Sequence, residues 1–159
     1  MLEQFIDGPL PQGLFMRDLR PFHLAFPVDD LLAAKEFYTT VLECSVGREK
    51  EESAVFNLFG HQIVAHKVEK MPELATNPVD GKTVPAMHFG LVLEWKHWHS
   101  LRERFVTSGI DFVIEPYTRY VDQPGEQATM FIKDPCGNHL EFKSFKDDSG
   151  IFDSEWGRP

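Results

Sequence analysis

Cysteine is scarce: the 159 residues contain two, Cys44 and Cys136, far apart and in no CxxC arrangement. That argues against a disulfide-built scaffold and a thiolate metal knuckle, and two reduced, packed thiols are the simpler expectation. Positive charge is also short. Sixteen Lys and Arg stand against 25 Asp and Glu, a formal net charge of −9. Nucleic acid and anionic membrane surfaces, which require basic patches, are therefore not expected partners. No run of like charge is long enough to form an interaction tail. Apolar runs stay well short of the roughly 18 residues that cross a bilayer. The first twenty residues lack the basic stretch and apolar run of a signal peptide. The chain reads as a soluble cytoplasmic protein. Hydrophobic residues make up 42%, enough for a packed core.

Residues 1–20, with two prolines and two glycines, read as an irregular N-terminal arm. From Phe22 the chain alternates, with Phe22, Leu24 and Phe26 on one face and His23 and Ala25 on the other. Asp29 or Asp30 can cap a helix over 30–42, in which Leu31, Ala34, Tyr38 and Val41 recur at helical spacing. Strands are expected at about 44–49, 53–59 and 62–68, with Gly60-His61 as a turn. Residues 69–85 hold three prolines and Asp80-Gly81, and read as a linker or flap.

The order then repeats. A strand at 87–93 carries His88 opposite Phe89, Leu91 and Leu93. A helix follows at about 95–108 with Trp98, Leu101 and Phe105 on one face, then strands at about 110–115, 127–133 and 138–145. A loop is expected over 116–126. His23 precedes Asp29 by six residues and His88 precedes Glu94 by six, each acid at a helix start. A glycine opens the last strand of each half, at Gly60 and Gly137. The reading is an α+β chain of two tandem βαβββ modules, 21–68 and 86–145, with a tail at 146–159.

Strand alternation places His23, His88 and Glu141 on faces opposite the apolar ones. If the modules pack side by side as one cupped mixed sheet, two imidazoles and a carboxylate converge. That set, with open positions, suits Fe(II) and also serves Mn(II), Co(II) or Zn(II). Ala25 and Gly90, too small to fill space, suggest a cavity beside the histidines. His61, His97 and His99 are expected to face solvent; His139 shares the face of Glu141 but sits beside a turn.

These residues resemble the vicinal oxygen chelate superfamily, which includes glyoxalase I, extradiol dioxygenases, fosfomycin-modifying transferases and bleomycin-binding proteins. The resemblance runs over about 21–145. It rests on the His23 strand with its Asp29-Asp30…Phe37-Tyr38 helix, on His88, and on Asp134-Pro135-Cys136-Gly137-Asn138…Glu141-Phe142, similar to the family's DPxGNxxE hairpin. Residues 59–66 and 125–131 are similar to a bacterial group of predicted extradiol-type dioxygenases. The resemblance implies a metal held by His23, His88 and Glu141, with Val64 at the position of glyoxalase I's fourth ligand. Gln62 and His66 share its face. Phe131 stands where ring-cleaving relatives have a tyrosine, so a proton shuttle would fall to His66, Tyr120 or Glu126, and Arg119 could hold a substrate carboxylate. The implied activity is an Fe(II) dioxygenase taking O₂ and a small catechol-like or enolisable substrate. The alternatives are a Zn(II)-, Mn(II)- or Ni(II)-assisted isomerase, lyase or transferase, or a non-catalytic small-molecule binding protein. A homodimer is the expected assembly, with exchange of modules between chains left open.

Overall fold

The computed structural model describes residues 19–79 and 81–155. Most of the expected arm, up to residue 18, and residues 156–159 of the tail lie outside the described residues.

The first module runs β1 (His23–Val28), α1 (Leu31–Thr40), β2 (Ser45–Lys50), β3 (Ser53–Leu58) and β4 (His61–Lys67). Helix α1 starts where expected, because the Asp30 carboxylate accepts the backbone N–H groups of Leu32 and Ala33 at 3.0 Å each. The second module, after the segment 68–88, runs β7 (Phe89–Leu93), α2 (Trp95–Thr107), β8 (Phe112–Arg119), β9 (Gln127–Lys133) and β10 (His139–Phe145). The sheet orders are β1-β4-β3-β2 and β7-β10-β9-β8. In each, the first and last strands of the module run parallel and the remaining pairs antiparallel. The duplication read from the sequence is thus reproduced strand for strand.

Three expectations change. The segment between modules contains a hairpin, β5 (Thr76–Val79) paired with β6 (Lys82–Pro85). Its Val84 packs against Ile114, Phe131 and Tyr117 of the second sheet. Pro78 and Pro85 are compatible with these strands because a two-stranded ribbon has only edges. Strand β8 continues through Pro116 to Arg119, into the expected loop. It is an edge strand whose register shifts between Ile114 and Tyr117, which accommodates the proline. Phe22 precedes β1 and is 63% exposed, so the apolar face of that strand consists of Leu24, Phe26 and Val28 alone.

The two sheets are separate, and they pack through their helix-bearing faces. One core cluster joins Phe26, Tyr38 and Phe56 of the first module to Trp98, Phe105 and Phe142 of the second. Phe26 meets Phe89 with ring centroids 5.1 Å apart. Polar contacts fix the same arrangement: Tyr38 donates its hydroxyl to Asp134 at 3.1 Å, and Asn138 donates its side-chain N–H to the Pro27 carbonyl at 2.9 Å. Arg104 of α2 donates to the Val41 carbonyl at 3.0 Å. No helix among the described residues is long and apolar enough to cross a membrane.

Candidate metal centre

Because strand side chains alternate, each sheet has an open face opposite its helix. On the second sheet, pairing of β7 with β10 sets His88, just before Phe89, beside the row of Glu141 and Gly90. His88 Nε2 lies 3.1 Å from Glu141 Oε2. Both residues are also gripped from behind. The His88 Nδ1–H donates to the Pro85 carbonyl at 2.8 Å, and Thr129 donates its hydroxyl to Glu141 Oε1 at 2.6 Å. A carbonyl only accepts, so Nδ1 carries a proton. Nε2 faces the Glu141 carboxylate, which favours the protonated imidazole. Consistent with this, the hydrogen bond to Glu141 raises the His88 pKa against the opposing effect of burial. Burial pushes the Glu141 carboxyl up, but His88, Thr129 and the Lys143 charge outweigh it and hold the pKa below its ordinary value.

The surroundings of the pair are half apolar and half cationic. The Phe131 ring stands edge-on to the His88 ring with centroids 5.1 Å apart. Lys143, two residues beyond Glu141 on the same face, brings its Nζ to 3.9 Å from Glu141 Oε1. In the next row Tyr117 lies across from Thr129, and Lys82 of the hairpin stacks over the Tyr117 ring at 5.1 Å.

Gly90 has a different role from the expected one. A Cβ there would sit 1.7 Å from the Glu141 carbonyl oxygen. Glycine at this position permits close approach of β7 to β10 beside the pair; it does not open a cavity.

His23 is not brought to this pair. It opens β1 on the open face of the first sheet, exposed, with Nδ1 2.7 Å from Gln62 Oε1. The amide oxygen only accepts, so Nδ1 donates, and Nε2 is turned away from Gln62. His23 borders a wide groove of about 410 Å³ that also includes Ser45, Gly47, Asn57 and Gln62. Among the described residues, no group of three His, Cys, Asp or Glu side chains is placed to hold a metal ion. The side-by-side convergence expected within one chain is therefore corrected: the modules meet through their helical faces, which leaves the two open faces apart. As a donor set, the pair still fits a divalent cation, which would take the place of the Nε2 proton; two donors are too few without a third from elsewhere.

The remaining candidates stand away from the pair. His66 is exposed, two rows along from His23, beside Pro27 and Ser53. Gln62 is engaged by His23. Arg119 and Tyr120 contact one another: the guanidinium donates to the Tyr120 hydroxyl at 3.2 Å and lies over its ring. Their strand end falls in the row of Gln127 and Phe145, two rows from Glu141. Glu126 is buried and accepts from Lys146 Nζ at 2.7 Å and from the Asp122 N–H at 3.0 Å, so it pins the 120–126 loop. The Asp134-Pro135-Cys136-Gly137-Asn138 motif builds the turn that aims Glu141. Asp134 accepts the N–H groups of Cys136 and Asn138 at 2.9 and 2.8 Å, and Gly137 adopts φ +91°. Thr129, Lys143 and Tyr117 escaped the sequence reading. Once that turn is recognised, antiparallel register carries Glu141 to Phe131 and Lys143 to Thr129.

A duplicated βαβββ fold with a strand-borne His–Glu pair on the open face of its second sheet defines a paired-module class of protein. Residues 20–142 match the profile of the Glyoxalase/Bleomycin resistance protein/Dioxygenase superfamily. The chain belongs to this superfamily. Among solved structures it is similar to a glyoxalase/bleomycin resistance protein/dioxygenase from Alicyclobacillus acidocaldarius, with 32% identity and TM-score 0.71, covering 83% of this chain and 96% of that one. It shares the fold of lactoylglutathione lyase from Agrobacterium tumefaciens (19% identity, TM-score 0.55, 77% and 91% covered). It also shares that of a fosfomycin resistance protein from Listeria monocytogenes (15% identity, TM-score 0.56, 77% and 89% covered). No curated protein matches. The superfamily commonly uses divalent metals, and its members differ widely in activity.

Proposed function

We propose that this protein is a divalent-metal-dependent enzyme acting on a small chelating molecule, with His88 and Glu141 of one chain and His23 of a second copy holding the ion. The observation that carries this reading is the His88–Glu141 pair, 3.1 Å apart and held from behind by Pro85 and Thr129. Outer contacts of this kind fix the tautomer and orientation of metal ligands. His23 supplies a third donor of the same kind, with Nδ1 occupied and Nε2 available, on the open face of the other sheet. Two copies related by a two-fold axis can set the open face of one first sheet against that of the other's second sheet, completing two equivalent sites.

The bound ion would polarise two substrate oxygens as a Lewis acid and, as Fe(II), would provide a place for O₂. The chain's own residues do the rest. Phe131 excludes water from one side of His88, while Lys143 places a positive charge beside Glu141, where a substrate oxygen gains negative charge. Among the reactions open to this set, the Fe(II) dioxygenase reading takes precedence because three donors leave several positions free. Val64 fills the fourth place, and His66 stands two rows from His23. A Lewis-acid isomerase or transferase is the second reading, favoured by Lys143 beside the pair.

Mixing His23→Ala with Glu141→Ala protein tests the arrangement. Each variant alone has no complete site. A heterodimer has one, so after exchange about a quarter of all sites should bind Mn(II) or Fe(II). Recovery of no binding would overturn the shared site. Oxygen uptake by anaerobically purified, iron-loaded protein against a panel of vicinal diols tests the reaction. Full iron binding without uptake for any diol removes the dioxygenase reading.

A further inference from the structure

Beside the candidate metal centre, where β1 approaches β7, the structure encloses a cavity of about 170 Å³. Its wall is mainly apolar: Leu24 and Phe26 from β1, Met71 and Leu74 from the connecting segment, and Met87 and Phe89 from the entry to β7. His88 forms part of the same wall. Met87 and Leu74 are 56% and 36% exposed, so they form a rim open to solvent, whereas Phe26 is buried at the bottom.

Protein interiors rarely keep empty space of this size, because every unfilled gap forfeits dispersion contacts. Water finds few partners over most of the wall, which is hydrocarbon and thioether, although His88, Asn138 and His139 also line it. An engineered apolar cavity of about 150 Å³ in another protein holds one benzene molecule. The two methionines on the wall are unbranched and polarisable, suited to fitting around a ring. The cover, residues 71–75, carries no helix or strand and leads directly into β5, so it can adjust to an occupant.

We infer that this cavity is a binding site for one apolar six-membered ring, or a branched hydrocarbon group of equal bulk, lying against His88. Its relevance to catalysis rests on the metal reading above: a substrate would place this group in the cavity and its oxygens on the far side of His88. The binding itself is independent of metal.

The test uses the full chain, metal-free, with ¹³C-methyl methionine and benzyl alcohol as the probe. The Met71 and Met87 methyl resonances should shift saturably with a dissociation constant on the order of a millimolar, while methanol at equal concentration leaves them in place. Met71→Trp fills the cavity from its cover and should weaken the Met87 response at least about tenfold. Leu74→Trp fills it from the rim and guards against a folding defect in the first variant; dispersed amide spectra establish that each is folded. No saturable shift in the wild type overturns the inference, as does an unchanged response in both folded variants. Glu141→Ala, which lies outside the cavity wall, separates the two readings: loss of Mn(II) binding with benzyl alcohol still bound supports both. Benzyl alcohol binding to a wild type that takes up no metal sinks the metal reading alone.

Discussion

His88 Nε2 and Glu141 Oε2 lie 3.1 Å apart across 53 residues of chain, joined by the parallel pairing of β7 with β10. Each is held by a further residue, Pro85 for the imidazole and Thr129 for the carboxylate. His88→Ala and Glu141→Ala should abolish divalent-metal binding. Thr129→Val, which keeps the shape and removes the donor, should weaken it by about tenfold, in line with the effect of outer-contact losses at other metal sites. Calorimetric titration with Mn(II) measures all three; unchanged affinity in Thr129→Val would show that the hydroxyl does not position Glu141.

Gly90→Ala should be severely destabilising, on the order of 3–4 kcal/mol, because the new methyl has only backbone to displace. A Cβ at that position would lie 1.7 Å from the Glu141 carbonyl oxygen. Denaturant unfolding gives the number. A loss under about 1 kcal/mol would mean that β7 can move away from β10 at little cost.

Asp134 ties the modules together, accepting from Tyr38, Asn138 and the Cys136 amide in a buried position. Burial raises its pKa despite these contacts, and the hydrogen bonds are what make its charge tolerable there. Asp134→Ala leaves the Tyr38 hydroxyl and two turn amides without their acceptor and should cost on the order of 3 kcal/mol. Tyr38→Phe removes one donor and should cost about 1 kcal/mol. Unfolding midpoints at equal slope measure both, and an order reversed from this one would contradict the assignment of Asp134 as the hub.

The 120–126 loop carries a pH dependence of its own. The Lys146 hydrogen bond depresses the Glu126 carboxyl below its ordinary 4.5, and Glu126 raises Lys146 above its ordinary 10.5. A depressed carboxylate stabilises the fold above 4.5, and that contribution disappears as pH falls through the lower folded value. A raised lysine contributes fully below 10.5 and loses its effect as pH rises through the higher folded value. Amide protection at Asp122 should therefore persist between these limits and drop on acidification. Glu126→Gln should remove the acid-side change, as hydrogen exchange at Asp122 would reveal.

The sequence by itself determined the modules, because alternation and helical spacing report which faces meet hydrocarbon. It also determined Asp30 as a cap and the Asp134–Asn138 turn, whose chemistry is local. It identified His88 and Glu141 as same-face residues, since strand parity is carried by position alone. Only tertiary structure decided how the modules meet. Either face of each sheet could satisfy the same alternation, and the choice lies in long-range contacts such as Tyr38 with Asp134 and Phe26 with Phe89. That choice separates His23 from the His88–Glu141 pair and moves completion of the proposed site to a second copy. Thr129 and Lys143 follow only once the Asp134–Asn138 turn is used to set the β9–β10 register. The true role of Gly90 was out of reach, because the approach of β7 to β10 is a property of long-range pairing and not of any one strand.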